Sequence, residues 1–152
     1  QGGRRIATLY LMVGIPGAGK TTWAKQHPQY EYVGSDEIRK ELFGKELTVR
    51  GYRKVHCLMM QRAISHLESG HDVVMDSAHV SIRARKKVLK GLPPGIDVVA
   101  VHIDTAVPQA LKNNRMRERH VPRIGIMYLG KKLEVPSEGE GFTKVLHITK
   151  DF

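Results

Sequence analysis

The sequence predicts an α/β domain: a central parallel sheet of about four to five strands, helices on both of its faces, and a helical lid over one end. Three observations carry that expectation. Short, nearly continuous apolar runs alternate with longer stretches of helical periodicity, the order that parallel strands joined by crossover helices produce. The first apolar run ends in a glycine-rich turn that opens directly into a helix. No repeat, low-complexity tract or long linker divides the 152 residues, a length that suits one hydrophobic core, so residues 1–152 read as a single domain.

Residues 6–13 (IATLYLMV) have the pattern of a strand buried on both faces, and residues 21–26 begin a helix. Residues 30–33 form the second strand candidate. Residues 36–43 read as helix, with Ser35 or Asp36 as N-cap and Gly44 as the stop. A long helix is expected over 52–69, because Val55, Met59, Ala63 and Leu67 recur every four residues before Gly70 ends it. Residues 72–75 are the third strand candidate, 81–89 a basic helix, and 96–103 (IDVVAVHI) the clearest later strand. Residues 106–118 read as a polar helix, Pro122 as a break, and a further helical piece extends through Leu129; together residues 106–132 form the expected lid. Residues 144–148 close the set as a last strand.

Composition narrows the class. A hydrophobic share of 41% and a charged share of 26% exclude disorder as the main state. The single cysteine, Cys57, excludes an internal disulfide or a Cys-pair zinc site and reads as a small buried apolar residue. None of the eight histidines has zinc-motif spacing; His56, His66 and His71, in or beside the long helix, read as surface or satisfied residues. Trp23 reads as a packing anchor. No apolar run approaches the roughly 20 residues of a membrane span, and no signal-peptide pattern is visible, so a cytoplasmic protein without a membrane partner is expected. The net charge is +10, and residues 81–132 alone hold twelve Lys or Arg against three Asp or Glu. That third of the chain is either a field for an anionic partner or a solvated basic face. Its densest tract, residues 83–87, lacks the interleaved aromatics of a single-strand platform.

Gly14-Ile15-Pro16-Gly17-Ala18-Gly19-Lys20-Thr21 fits G-x-x-x-x-G-K-[ST] in its required setting, after a buried strand and before a helix. The glycines let the backbone wrap a polyphosphate and turn its N–H groups inward. Gly14, Pro16, Gly17, Ala18, Gly19, Lys20, Thr21 and Thr22 are therefore the expected nucleotide contacts, with Lys20 on the β- and γ-phosphates and the Thr21 hydroxyl on Mg²⁺. ATP and Mg²⁺ are the expected ligands, and the fold class sharpens to a phosphate-loop NTPase of the nucleotide-kinase type.

Asp36 follows the second strand, on the sheet edge that carries the phosphate loop, and Arg39 lies three residues on. Asp36 is either a general base for an attacking hydroxyl or the cap of its helix; Arg39 either holds an anionic acceptor or is a surface charge. Asp76 ends the third strand, where an acidic residue holds the metal's water shell or merely makes a turn. Residues 113–123 (NNRMRERHVPR) are arginine-dense; Arg115, Arg117 and Arg119 alternate, so a helix cannot aim all three at one point. They form either an arginine lid for the transferring phosphoryl group or a solvated basic helix.

The succession GIPGAGKTTWA, SDEIR, VVMDSA and RMRERHVPRIGIM resembles the polynucleotide 5′-hydroxyl kinase type of phosphate-loop kinase. Such kinases form the kinase domain of bacteriophage and bacterial end-healing enzymes and are akin to small AAA-type ATP-binding kinases. The resemblance spans essentially the whole chain. It implies that Asp36 is the general base and that Arg39 orients the acceptor. It implies that Lys20 and one or more lid arginines, Arg117 foremost, stabilise the γ-phosphoryl group, and that Asp76 assists the metal. The implied activity is ATP-dependent phosphorylation of a DNA or RNA 5′-hydroxyl end, with a nucleic-acid substrate as partner. A kinase of a small hydroxylated molecule (a nucleoside, nucleotide sugar or antibiotic) is the alternative, and the lack of asparagine two residues after Asp76 suits it. A non-catalytic ATP-binding module is the third reading.

Overall fold

A computed structural model describes residues 7–44, 51–116 and 121–149. Five strands, β1 (Thr8–Val13), β2 (Glu31–Gly34), β3 (Val73–Asp76), β4 (Asp97–Asp104) and β5 (Lys144–Thr149), form one sheet in the order β2-β3-β1-β4-β5. Every neighbouring pair is parallel. Among the described residues six helices connect them: α1 (Lys20–Lys25), α2 (Ser35–Phe43), α3 (Tyr52–Glu68), α4 (Ile82–Gly91), α5 (Val107–Arg115) and α6 (Arg123–Lys132). A 3₁₀ turn at Glu138–Glu140 precedes β5.

The two faces of the sheet are read off β1 itself. Leu9 and Leu11 point into a core shared with Ile38 of α2, Val55, Met59, Ala63 and Leu67 of α3, and Val88 of α4. Met12 points the other way, into a core with Trp23 of α1, Ala110 of α5 and Ile126 of α6. The alternation is the period-two pleat of a strand covered on both sides, and it explains why residues 8–13 are apolar almost throughout. All four positions of the four-residue repeat in α3 are at most 4% exposed.

The expected elements are present, with four local differences. The helix after β2 starts at Ser35 and its N-cap is Gly34, so neither Ser35 nor Asp36 caps it. The strand runs into the helix without a loop, leaving Asp36 inside the first turn. The helix expected over 106–118 has Ala106 as its N-cap and ends at Arg115 with Met116 as C-cap; Arg117, Arg119 and the rest of 117–120 lie outside the described residues. Cys57 is exposed rather than buried, because it falls on the side of α3 turned away from the Val55–Met59–Ala63 stripe. The basic helix α4 is not a uniformly solvated face: Arg85 is wholly buried. Its Nε and one terminal nitrogen donate to the two carboxylate oxygens of Glu140 at 2.8 and 3.1 Å, and the other donates to the His79 carbonyl at 2.8 Å. A bidentate pair plus one further acceptor is what a buried guanidinium needs. Among the described residues no helix is long and apolar enough to cross a membrane.

Candidate active site

In a parallel sheet all strands finish at the same edge, and the segments leaving β1, β2, β3 and β4 meet there. The glycine loop leaves β1 with Gly17 and Gly19 at φ 85° and 111°, conformations that side chains resist. Gly17 has a second reason to be glycine: a Cβ there would lie 2.4 Å from the Ala110 carbonyl oxygen of α5. The loop is braced from below. The Asn113 side chain donates to the Gly17 carbonyl at 2.9 Å, Thr105 to the Ala18 carbonyl at 2.8 Å, and the Gly14 amide to the Ala78 carbonyl at 3.0 Å. Lys20, 9% exposed, arches back so that its ammonium donates to the Gly14 and Ile15 carbonyls at 2.8 and 2.9 Å. The carbonyls thus turn to the lysine and the protein interior, which leaves a cationic concavity of the kind that holds phosphate.

Beside the loop, the Thr21 hydroxyl donates to Asp76 Oδ2 at 3.0 Å. Tyr32 donates to the same oxygen at 2.6 Å. The β2–β3 register, with Gly34 opposite Asp76, brings these residues together. Gly34 also makes room for the phenol: a Cβ on it would fall 2.7 Å from the Tyr32 ring and hydroxyl. Burial, and then the neighbouring Asp76 carboxylate, hold the Tyr32 phenol far above its ordinary ionisation range, so it remains a donor. His79, at φ 46°, donates from Nδ1 to the Met12 carbonyl at 3.0 Å, and burial pulls its imidazole down to about 4. It is therefore neutral at physiological pH.

A cleft of about 1390 Å³ spans these groups. Pro16, Gly17, Gly19, Lys20, Thr21 and Thr22 line one side of it, Asp36 and Arg39 another, and Asp76 the floor between. Arg39 approaches Asp36 at 3.4 Å, a loose pairing. Gly14 and Ala18 are buried beneath the loop, and the Ala18 amide is engaged by the Ile15 carbonyl at 3.1 Å. From the region of α5 and α6, Met116, Val121, Pro122 and Gly125 join the cleft lining. The buried Asn114 ties α5 to the segment before α6: its amide group donates to the Val121 carbonyl at 2.8 Å and accepts from the Val121 amide at 2.9 Å. Arg115 is exposed on α5 and is not part of the cleft lining; Arg117 and Arg119 lie outside the described residues.

Tyr32, His79, Thr105, Asn113 and Asn114 escape a reading of the sequence. Each acts through a partner 7 to 96 residues away, and no local spacing marks such a pairing. The one visible signal is that Tyr32 and Gly34 share a strand face, since they are two residues apart. The cleft near Asp36 and Arg39 also holds features that the residue pattern concealed. His56 of α3 lines the cleft, with its imidazole lowered by burial and then by Lys87. The Lys87 ammonium sits 5.1 Å from the centroid of the Tyr52 ring, so an aromatic does accompany the basic helix after all.

The oxygen donors Thr21 and Asp76 form a hard, anionic set adjoining the phosphate cradle, which suits Mg²⁺ better than a softer ion.

Solved structures share this fold. A chain of the Pnkp1/Rnl/Hen1 RNA repair complex superposes with a TM-score of 0.76 at 20% identity, covering 88% of this chain and 46% of that one. Kti12 from Chaetomium thermophilum in complex with ADP-AlF3 gives 0.70 at 17% identity, covering 94% of this chain and 89% of that one. A gluconokinase from Sinorhizobium meliloti 1021 gives 0.60 at 18%, covering 96% and 84%. The chain thus spans under half the length of the RNA-repair chain it matches. The architecture is that of the phosphate-loop kinases, and its loop is a nucleotide-binding element. The family model described as AAA domain matches residues 9–136, and the chain belongs to that family.

Proposed function

We propose that this chain is a single kinase domain that transfers the γ-phosphate of ATP to a hydroxyl, with the 5′-hydroxyl end of DNA or RNA as acceptor. The observation that carries the reading is the shared cleft: the phosphate loop with Lys20 on one side and the Asp36–Arg39 pair on the other, Asp36 being no helix cap. In this reading the Asp36 carboxylate accepts the proton of the acceptor hydroxyl as its oxygen attacks the γ-phosphorus in line. The bond from that phosphorus to the β,γ-bridging oxygen breaks, and ADP leaves. Lys20 follows the charge onto the leaving side. Arg39 holds the acceptor's neighbouring phosphate, and Arg117, with Arg115 and Arg119 on the nucleotide side, is assigned to the γ-phosphoryl oxygens. Mg²⁺, held by the Thr21 hydroxyl and by Asp76, would supply neutralising charge; Tyr32 fixes the carboxylate that receives it.

A polynucleotide acceptor is supported by the cations about the cleft, Arg39 and Lys25 in its lining and Lys87 over the ring of Tyr52, which also lines it. The likeness to a chain that works within an RNA repair complex points the same way. A small-molecule hydroxyl acceptor is the second reading. It is favoured by the apolar Val55, Met59 and Val80 in the cleft lining and by the fold shared with a gluconokinase.

The deciding experiment is transfer from γ-labelled ATP to single-stranded DNA and RNA with 5′-hydroxyl ends, with Lys20→Ala and Asp36→Asn proteins alongside. Label on the oligonucleotide from the parent alone supports the end-kinase reading. ATP binding with no labelled oligonucleotide, and turnover only with small hydroxylated compounds, selects the second.

A further inference from the structure

At the sheet edge opposite the cleft, where β2 and β3 begin, Glu31, His66 and His71 converge with their ligand atoms all within 4.8 Å of one another. The backbone holds them there. Helix α3 ends in a Schellman turn: the His71 amide donates to the His66 carbonyl at 3.0 Å and the Gly70 amide to the Leu67 carbonyl at 2.9 Å, with Gly70 at φ 84°. This reversal folds His71 back against His66, their ring centroids 6.5 Å apart. Glu31 is fixed to the next segment, its amide donating to the Asp72 carbonyl at 2.9 Å and its register partner being Val73. Three ligands from two sequence regions are thus brought together by main-chain bonds that do not depend on an ion.

We propose that Glu31, His66 and His71 form a zinc site, independent of the phosphate-transfer cleft. Two imidazoles and a carboxylate are a borderline-soft set that selects Zn²⁺ over Mg²⁺ or Ca²⁺, and water completes the tetrahedron. Bonds of about 2.0–2.2 Å require ligand atoms about 3.4 Å apart. Glu31 and His71 are exposed and His66 half-buried, so side-chain rotation can close the gap without moving the backbone. The ion would tie the carboxyl end of α3 to the start of the edge strand β2, a structural role.

The test is calorimetric titration of the whole chain with Zn²⁺, paired with thermal unfolding and with Co²⁺ absorption as the reporter of tetrahedral geometry. One equivalent is expected to bind, to raise Tm, and to give tetrahedral Co²⁺ bands; Ca²⁺ is expected to do none of these. The His66→Gln/His71→Gln variant should lose about 100-fold or more in affinity, since changes to groups behind a ligand already cost about 10–100-fold. Glu31→Gln, which leaves the turn untouched, should weaken binding and alter the Co²⁺ spectrum. Zinc binding undiminished in these variants, or no stoichiometric binding by the parent, would overturn the proposal.

Discussion

The two faces of the sheet hold the two halves of the cleft differently. On the face of α1, α5 and α6, the phosphate loop is overdetermined. Asn113 and Thr105 hold its carbonyls, the Ala78 carbonyl accepts from the Gly14 amide, Lys20 is folded onto it, and α5 leaves no room for a Cβ at Gly17. On the face of α2, α3 and α4, Asp36 and Arg39 meet only loosely, and Tyr52 and His56 line the cleft with Lys87 over the Tyr52 ring. A polyphosphate is the same in every kinase, so its cradle profits from rigidity prepared in advance. An acceptor differs from kinase to kinase, and in the proposed reading the side that receives it is built from the separate helices α2 and α3. The solved structures that share the fold come from an RNA repair complex and from a gluconokinase, so the fold itself does not fix the acceptor.

Substitutions can sharpen or break that contrast. The largest effect is expected at Asp36: Asp36→Asn should lower transfer about 10²–10⁴-fold while leaving ATP affinity unchanged. Single-turnover kinetics beside nucleotide titration would separate the two, and equal loss of both would erase the division into donor and acceptor sides. Next is Arg85→Met, which strands the Glu140 carboxylate and should cost about 3–5 kcal/mol in urea unfolding, showing that α4 is anchored by charge rather than merely decorated with it.

His79 gives a pH signature of similar size. Its folded value near 4 lies below the ordinary 6.5, so between these limits only the unfolded chain takes up the proton. Stability should therefore fall with acidification across that window, by up to about 1.4 kcal/mol per pH unit from this group. Above pH 6.5 the group should have no further effect. His79→Asn, which tolerates the left-handed backbone, should flatten that limb in denaturation at pH 5 against pH 7.

Gly17→Ala comes next: the strained φ and the contact with Ala110 should cost about 1–3 kcal/mol and disrupt nucleotide binding together. The smallest change is Tyr32→Phe. Removing one of two donors to Asp76 should cost about 1 kcal/mol in kcat, less than tenfold, with the Mg²⁺ requirement raised and the KM for ATP held.

Much of this was legible without coordinates. The apolar runs located the three central strands β1, β3 and β4, because a buried parallel strand needs both its faces apolar, and the four-residue spacing of Val55, Met59, Ala63 and Leu67 placed the face of α3. The glycine loop was legible because its chemistry is contiguous: backbone amides, Lys20 and Thr21 follow one another in the chain. Ends were less so. The expected capping role of Ser35 or Asp36 failed because β2 and α2 join without a loop, and the expected burial of Cys57 failed because composition says nothing about which side of a helix faces the sheet.

What the chain by itself determined is therefore whatever depends on neighbours in sequence: periodicity, the phosphate loop, and the position of acidic residues at strand ends. Only the tertiary structure decided that Tyr32 reaches Asp76, that Asn113 and Thr105 brace the loop, that Arg85 is buried on Glu140, and that Glu31 meets His66 and His71. Those pairings follow from strand order and register. Placing β3 between β2 and β1 is a choice made by the packing of two cores, and no local pattern encodes it.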